Sequence, residues 1–245
     1  MLLSEQSVLI TGAANRLGAQ IARTLHQNGA NLIIHYRASK DAALALADEL
    51  NRARPESAQV IAADLAVDAD VERLAQQACD AFGELHILVN NASSFLPTRF
   101  GDIDQHNWND LVTSNYKAPL FLAQGCYPAL KRSRGCIINM VDIYASRPLA
   151  EHSVYCSAKA ANQMLVKSLA LELAPEVRVN GIAPGAILWP QPGEPSEAQL
   201  QALRENVPLQ RLGGAQVIAD TALFLASNDY ITGEIIRVDG GRMLK

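Results

Sequence analysis

Tyr155 and Lys159 stand four residues apart in "SVYCSAK" (153–159). Near the start of a helix, that spacing projects both side chains from one face. A phenol with an ordinary pKa of ~10 exchanges its proton poorly near neutrality. A neighbouring ammonium favours the phenolate and draws that value toward the working range. The pair therefore reads as proton-transfer chemistry. Upstream, the apolar run Ile137-Ile138-Asn139-Met140-Val141 stops at a carboxylate, Asp142. A carboxyl at a strand end can share a proton with a phenol, and partial burial there keeps it protonated. Its plainer role is to cap the following turn through backbone N–H groups.

A second group of residues reads as nucleotide chemistry. "TGAANRLG" (11–18) follows an apolar run and opens a helical pattern, placing Thr11, Gly12, Arg16, Leu17 and Gly18 in one turn. Such a turn aims backbone N–H groups and the helix's positive end at a phosphate. Arg16 stands where a dinucleotide fingerprint keeps its middle glycine, so the pattern is incomplete and an ordinary βα turn is the alternative. The next strand ends in His35-Tyr36-Arg37-Ala38-Ser39-Lys40, without the carboxylate that would hold the ribose 2′-hydroxyl of NAD. Arg37 with Ser39 suits a 2′-phosphate instead, since a guanidinium fork matches phosphate geometry. NADPH is expected over NADH, the alternative being that Arg37 and Lys40 are solvated charges.

Short apolar runs alternating with helical periods must position these groups. Strands are expected at 7–11, 31–36, 58–64, 86–90, 136–141, 178–183 and 234–239. Helices are expected at 16–28, 40–53, 69–82, 105–115, 118–132, 153–174 and 215–226. Strands apolar throughout belong to a sheet covered on both faces, and repeated βα units imply a parallel, doubly wound α/β sheet. The stretch 184–208, rich in proline and polar residues, reads as a substrate loop within one domain spanning 1–245.

Seven ordered segments resemble the short-chain dehydrogenase/reductase family: "TGAANRLG" (11–18), "AADL" (62–65), "NNAS" (90–93), "TSNYKAP" (113–119), "YCSAK" (155–159), "VNGIAPGAI" (179–187) and "ITGEIIRVDGG" (231–241). The resemblance implies a Rossmann-type sheet of about seven strands with the site at the strands' carboxyl ends. It implies Tyr155 as proton donor, Lys159 lowering its pKa and binding the nicotinamide ribose, and Asn115 holding a relay water. Asp64, with Leu65 beside it, would touch the adenine. Asn90 and Ala92 would line the cofactor, with Pro184-Gly185 closing over the nicotinamide. Paired helices in a homotetramer are also implied.

The departures from that family are informative. Most members keep a serine where this chain has Asp142, and "NNAG" where it has "NNASSF". With Arg16 and "PGAILWP", these features resemble pteridine reductases. A pterin is flat and stacks on aromatic rings. Phe95 could supply that ring, the alternative being that it packs under the 184–208 loop. Ser93 could bond the amino-pyrimidine edge, and Arg16 could reach both phosphates and pterin. Trp189 is either part of a lid over the substrate or a loop anchor. Trp108 reads as packing. The expected activity is NADPH-dependent reduction of a dihydropterin or dihydrofolate, and of oxidised pterin, to the tetrahydro form. The rivals are a 3-oxoacyl thioester or general carbonyl reductase, and a non-catalytic NADPH-binding module. Ser146 stands too far along to replace the missing serine.

Composition excludes other classes. Net charge is −4, so no basic footprint suggests nucleic acid. The histidines have no metal-ligand spacing, and no metal is assigned. Four scattered cysteines, no leader pattern and no membrane-length apolar run lead to the expectation of a cytoplasmic protein with no membrane partner.

Overall fold

Residues 7–10, 87–90 and 136–140 are buried along their whole length, as strands covered on both faces must be. In the computed structural model, which describes residues 3–189 and 195–245, they are three of seven parallel strands. The strands are β1 (Ser7–Ile10), β2 (Asn31–Tyr36), β3 (Ala58–Ala62), β4 (Ile87–Asn90), β5 (Cys136–Met140), β6 (Arg178–Pro184) and β7 (Ile235–Val238). Their order is β3-β2-β1-β4-β5-β6-β7, every pair parallel. Val8 of β1 is flanked by Leu32 on one side and Ile87 on the other. Strand order reverses there, which opens a crevice at the carboxyl ends of β1 and β4.

The helices are α1 (Arg16–Gln27), α2 (Lys40–Ala53), α3 (Asp68–Asp80), α4 (Gln105–Val112), α5 (Ala118–Ser133), α6 (Ser153–Leu173), α7 (Glu197–Asn206) and α8 (Ala215–Ser227). Alternation along β1 shows how they divide. Val8 and Ile10 pack with Ile21, Leu46 and Ile218 of α1, α2 and α8, whereas Leu9 packs with Leu74, Leu122 and Val166 of α3, α5 and α6. The sheet thus has helices on both faces, the doubly wound α/β architecture. No described helix is long and apolar enough to cross a membrane.

Three expectations need correction. The 184–208 stretch is not loop throughout, because α7 occupies Glu197–Asn206. Ser196 Oγ accepts the Gln199 N–H at 3.3 Å, and Gln199 Oε1 accepts the Ser196 N–H at 2.8 Å, a reciprocal cap that starts the helix. Residues 190–194 of that stretch lie outside the described residues. The helix expected at 105–115 does not end there but widens into a π-helical segment, Thr113–Lys117, that runs into α5. Trp108 on α4 is 45 % exposed rather than packed.

Candidate active site

The carboxyl ends of the strands open into a cavity of about 920 Å³. Its walls carry Gly12, Arg16, Leu17, Gly18, Tyr36, Arg37, Ser39, Asp64, Leu65, Ala92, Ser93, Phe95, Asp142, Tyr155, Lys159, Pro184, Gly185 and Trp189. Three other expected residues stand behind the wall. Thr11 is buried, its hydroxyl accepting the N–H groups of Asn91 and Ala92 at 2.9 Å. Asn90 donates to Asn139, which donates to Asn162, each at 2.8 Å, in a buried amide chain reaching α6. Asn91, the next residue, lines the cavity instead. Asn115 is fully engaged: its Nδ2 donates to the carbonyls of Leu111 and Ser94, and its Oδ1 accepts from Ser93 Oγ at 2.6 Å. It therefore orients Ser93 from behind.

The turn between β1 and α1 is built for close approach. Gly12 has φ +61°, and its N–H donates to His35 Nδ1 at 3.0 Å. His35 is buried, which lowers its pKa and keeps the ring neutral, so Nε2 carries the proton toward the Ala63 carbonyl at 3.1 Å. A Cβ on Gly18 would fall 2.4 Å from the Gly12 oxygen and 2.7 Å from Asn91 Nδ2, so only glycine fits. Arg16 sits at φ +51°, a left-handed conformation that costs a non-glycine residue about 1 kcal/mol. Its guanidinium donates to the Trp189 carbonyl at 3.3 Å and so joins this turn to the 184–208 stretch. The first turn of α1 has no acidic residue and no side-chain cap on its N–H groups. Helix N–H donors with Arg16, Arg37 and Lys159 on one wall suit the phosphates and ribose of a dinucleotide. Arg37 is exposed and pairs with Asp110 at 3.6 Å.

Asp142 serves two partners at once. Its Oδ1 accepts the Tyr144 N–H at 2.8 Å and caps a 3-10 turn over Ile143–Ala145, and its Oδ2 accepts the Tyr155 hydroxyl at 2.8 Å. Burial raises the carboxyl's pKa, against the pull of its two hydrogen bonds and of the Lys159 and Arg242 charges. Tyr155 is pushed well above the ordinary phenol value by burial and then by Asp142. Burial and Asp142 thus set the direction of the phenol's shift in this pocket, where the hydroxyl donates to the carboxyl. Lys159 Nζ donates to the Met140 carbonyl at 2.8 Å and lies 5.7 Å from the Tyr155 ring centroid. Its own pKa falls to about 8 through burial, which outweighs the opposing Asp142 charge.

Phe95 is 55 % exposed, stacked on His152 with ring centroids 4.7 Å apart and edge-on to Tyr155 at 4.8 Å. This places a flat aromatic surface beside the Asp142–Tyr155 pair. Ser146, by contrast, bonds Gln163 at an exposed position away from the cavity. Sequence reasoning did not find several wall residues: Asn91, Tyr144, Leu149, Ile187, Leu188, Asp110 and Arg242. Nor did it find His35, for which its place at the end of an apolar strand was the available signal.

Comparison with known proteins agrees with this architecture. A family model described as "Enoyl-(Acyl carrier protein) reductase" matches residues 12–242. Pteridine reductase 1 of Leishmania tarentolae is 38 % identical over 278 aligned positions, covering 96 % of each chain. A 3-oxoacyl-(acyl-carrier-protein) reductase, FabG, of Staphylococcus epidermidis is 33 % identical, covering 96 % of this chain and 98 % of that one. The uncharacterized oxidoreductase YmfI of Bacillus subtilis is 32 % identical over the same shares. The match runs through nearly the whole chain and coincides with a parallel Rossmann-like sheet. The chain therefore belongs to the short-chain dehydrogenase/reductase family, whose members are oxidoreductases that use nicotinamide cofactors.

Proposed function

We propose that this chain is an NADPH-dependent pteridine reductase. It would reduce a dihydropterin or dihydrofolate, and oxidised pterin, to the tetrahydro form. The observation that carries the reading is the 2.8 Å hydrogen bond from Tyr155 to Asp142, a carboxyl whose burial raises its pKa. Relatives that reduce pteridines and relatives that reduce 3-oxoacyl thioesters have similar identity to this chain, so the substrate is argued from the site. Reducing a ring C=N bond requires hydride on carbon and a proton on nitrogen. A phenol–carboxyl pair can deliver that proton, whereas polarising a ketone calls for a hydroxyl at the Asp142 position.

The Gly12–Gly18 turn, Arg16, Arg37, Ser39 and Lys159 would hold the cofactor. When bound, its reduced nicotinamide supplies hydride. The chain's own part is orientation and the proton. Phe95 offers its ring face to the pterin and Ser93, fixed by Asn115, offers a hydroxyl to its polar edge. Tyr155 turns its hydroxyl proton from Asp142 to the ring nitrogen, and protonated Asp142, now the donor, passes its own proton to the phenolate oxygen. Lys159 stabilises the phenolate formed between these two transfers. Absence of a carboxylate at the end of β2 supports the 2′-phosphate of NADPH over NADH.

The plainest test follows NADPH oxidation with dihydrobiopterin, dihydrofolate and acetoacetyl-CoA in parallel. Turnover of a pterin at least tenfold above that of the thioester is expected. Turnover of the thioester alone would overturn the reading in favour of a carbonyl reductase, and turnover of none would favour a binding module. The assembly proposed is a homotetramer paired through α5 and α6. Phe121, Met164 and Leu171 leave apolar surface exposed on these helices, and sedimentation at micromolar concentration tests it.

A further inference from the structure

Arg242 follows β7 and lines the cavity. From β2, whose end carries Arg37, to β7 is five strand spacings, about 24 Å at ~4.8 Å each. The strands that carry Arg37 and Arg242 into the cavity thus stand well apart along the sheet. Arg16 and Arg37 are engaged with the Trp189 carbonyl and Asp110. Arg242 forms no ion pair with a carboxylate among the described residues. Its guanidinium lies instead 5.7 Å from the centroid of the Tyr144 ring, which also lines the cavity.

The position is built rather than incidental. Asp239 takes the N–H groups of Gly241 and Met243 at 2.9 Å, and its carbonyl takes that of Arg242 at 3.2 Å. Gly240 and Gly241 have φ +62° and +84°, and a Cβ on Gly240 would fall 2.8 Å from Val207. Lys245 bonds the Glu205 carbonyl of α7, tying this turn to the helix that forms the neighbouring wall. The turn is therefore fixed against the cavity with one cation facing in. That cation shares Tyr144 with Asp142, because the Tyr144 N–H caps onto the same carboxyl. A group bound against Asp142 and Tyr155 would have Arg242 next along the wall.

We propose that Arg242 is a specificity-determining residue that recognises the anionic tail of the substrate, selecting a folate-type pterin with a glutamate carboxylate over a pterin with a neutral side chain. The inference rests on the pteridine-reductase reading. A guanidinium fork that lies over an aromatic ring and makes no ion pair among the described residues keeps its donors available for a carboxylate. The phosphate of a phosphopantetheine thioester shares that chemistry, so acetoacetyl-CoA forms a separate arm of the test.

The test measures kcat/KM for dihydrofolate, dihydrobiopterin and acetoacetyl-CoA, with NADPH saturating, in wild type, Arg242→Gln and Arg242→Lys. The dihydrofolate-to-dihydrobiopterin ratio is expected to fall about tenfold in Arg242→Gln, the worth of one charge-assisted contact, with partial recovery in Arg242→Lys. In wild type the KM for dihydrofolate is expected to rise with added salt more steeply than that for dihydrobiopterin, a reading that needs no variant. A ratio unchanged in Arg242→Gln, or a loss equal for both pterins, overturns the inference and leaves the parent reading standing. Wild type that reduces neither pterin but turns over acetoacetyl-CoA overturns the parent reading, and this one with it.

Discussion

Asp142 Oδ2 accepts the Tyr155 hydroxyl at 2.8 Å while Asp142 Oδ1 holds the Tyr144 N–H at the same distance. The turn and the phenol that compete for this aspartate in the sequence are therefore both bound, one by each oxygen. The cap fixes the carboxyl's orientation, and the fixed carboxyl orients the phenol. A serine here could cap the turn, but it could not store a proton for the phenol.

Burial raises the pKa of Asp142, so its protonated form persists above the ordinary carboxylate range. If that form reloads Tyr155, kcat/KM for a dihydropterin should fall as pH rises through the raised value. Asp142→Asn keeps the cap but has no titrating proton, so its residual activity should lack this limb. A pH–rate profile of both proteins checks it, and an identical limb in the variant would assign the titration elsewhere.

Lys159 is 2 % exposed, and its pKa falls from 10.5 to about 8. Folding thus favours the neutral amine, and the charged form costs stability. That cost is absent above pH 10.5, grows as pH falls through the interval, and is full below about 8. At neutrality it is on the order of 3 kcal/mol, with the opposing attraction to Asp142 already included. Lys159→Met should therefore abolish reduction yet raise the denaturant midpoint at pH 7, with a smaller advantage at pH 10. Loss of stability at pH 7 would show that the ammonium is better compensated than its burial implies.

Arg37 lies on the cavity wall beside Ser39, paired with Asp110 at 3.6 Å. Arg37→Ala should lower kcat/KM for NADPH by ~10-fold or more, leaving NADH nearly unaffected, the signature of a lost phosphate contact. Initial rates with each cofactor decide it. Equal effects on both would reduce Arg37 to a partner of Asp110.

The strands were legible because burial on both faces leaves continuous apolar runs, and the β1–α1 turn because its glycines have steric reasons to be there. Tyr155, Lys159 and Asp142 were legible as a group, but the direction of the phenol's shift was not. It depends on how deeply the pair is buried, which spacing does not encode. Asn90 is expected to line the cofactor, but it ends β4 with its side chain in the buried amide chain, and Asn91, one residue past the strand, reaches the cavity wall. Helix α7 was hidden by Pro190, Pro192 and Pro195 just before it, although Ser196 and Gln199 at capping-box spacing were the readable signal. Arg242 was beyond pattern reading because only the return of the chain after β7 brings it beside Tyr144.

Asp142→Ser, assayed with dihydrobiopterin and with acetoacetyl-CoA, decides whether Asp142 takes part in reducing a pterin ring. Serine preserves a turn cap and installs a ketone-polarising hydroxyl while removing the stored proton. Pterin kcat/KM should drop ~100-fold, the usual worth of a positioned general acid, while thioester reduction holds or improves. Undiminished pterin turnover in Asp142→Ser would remove Asp142 from the reaction.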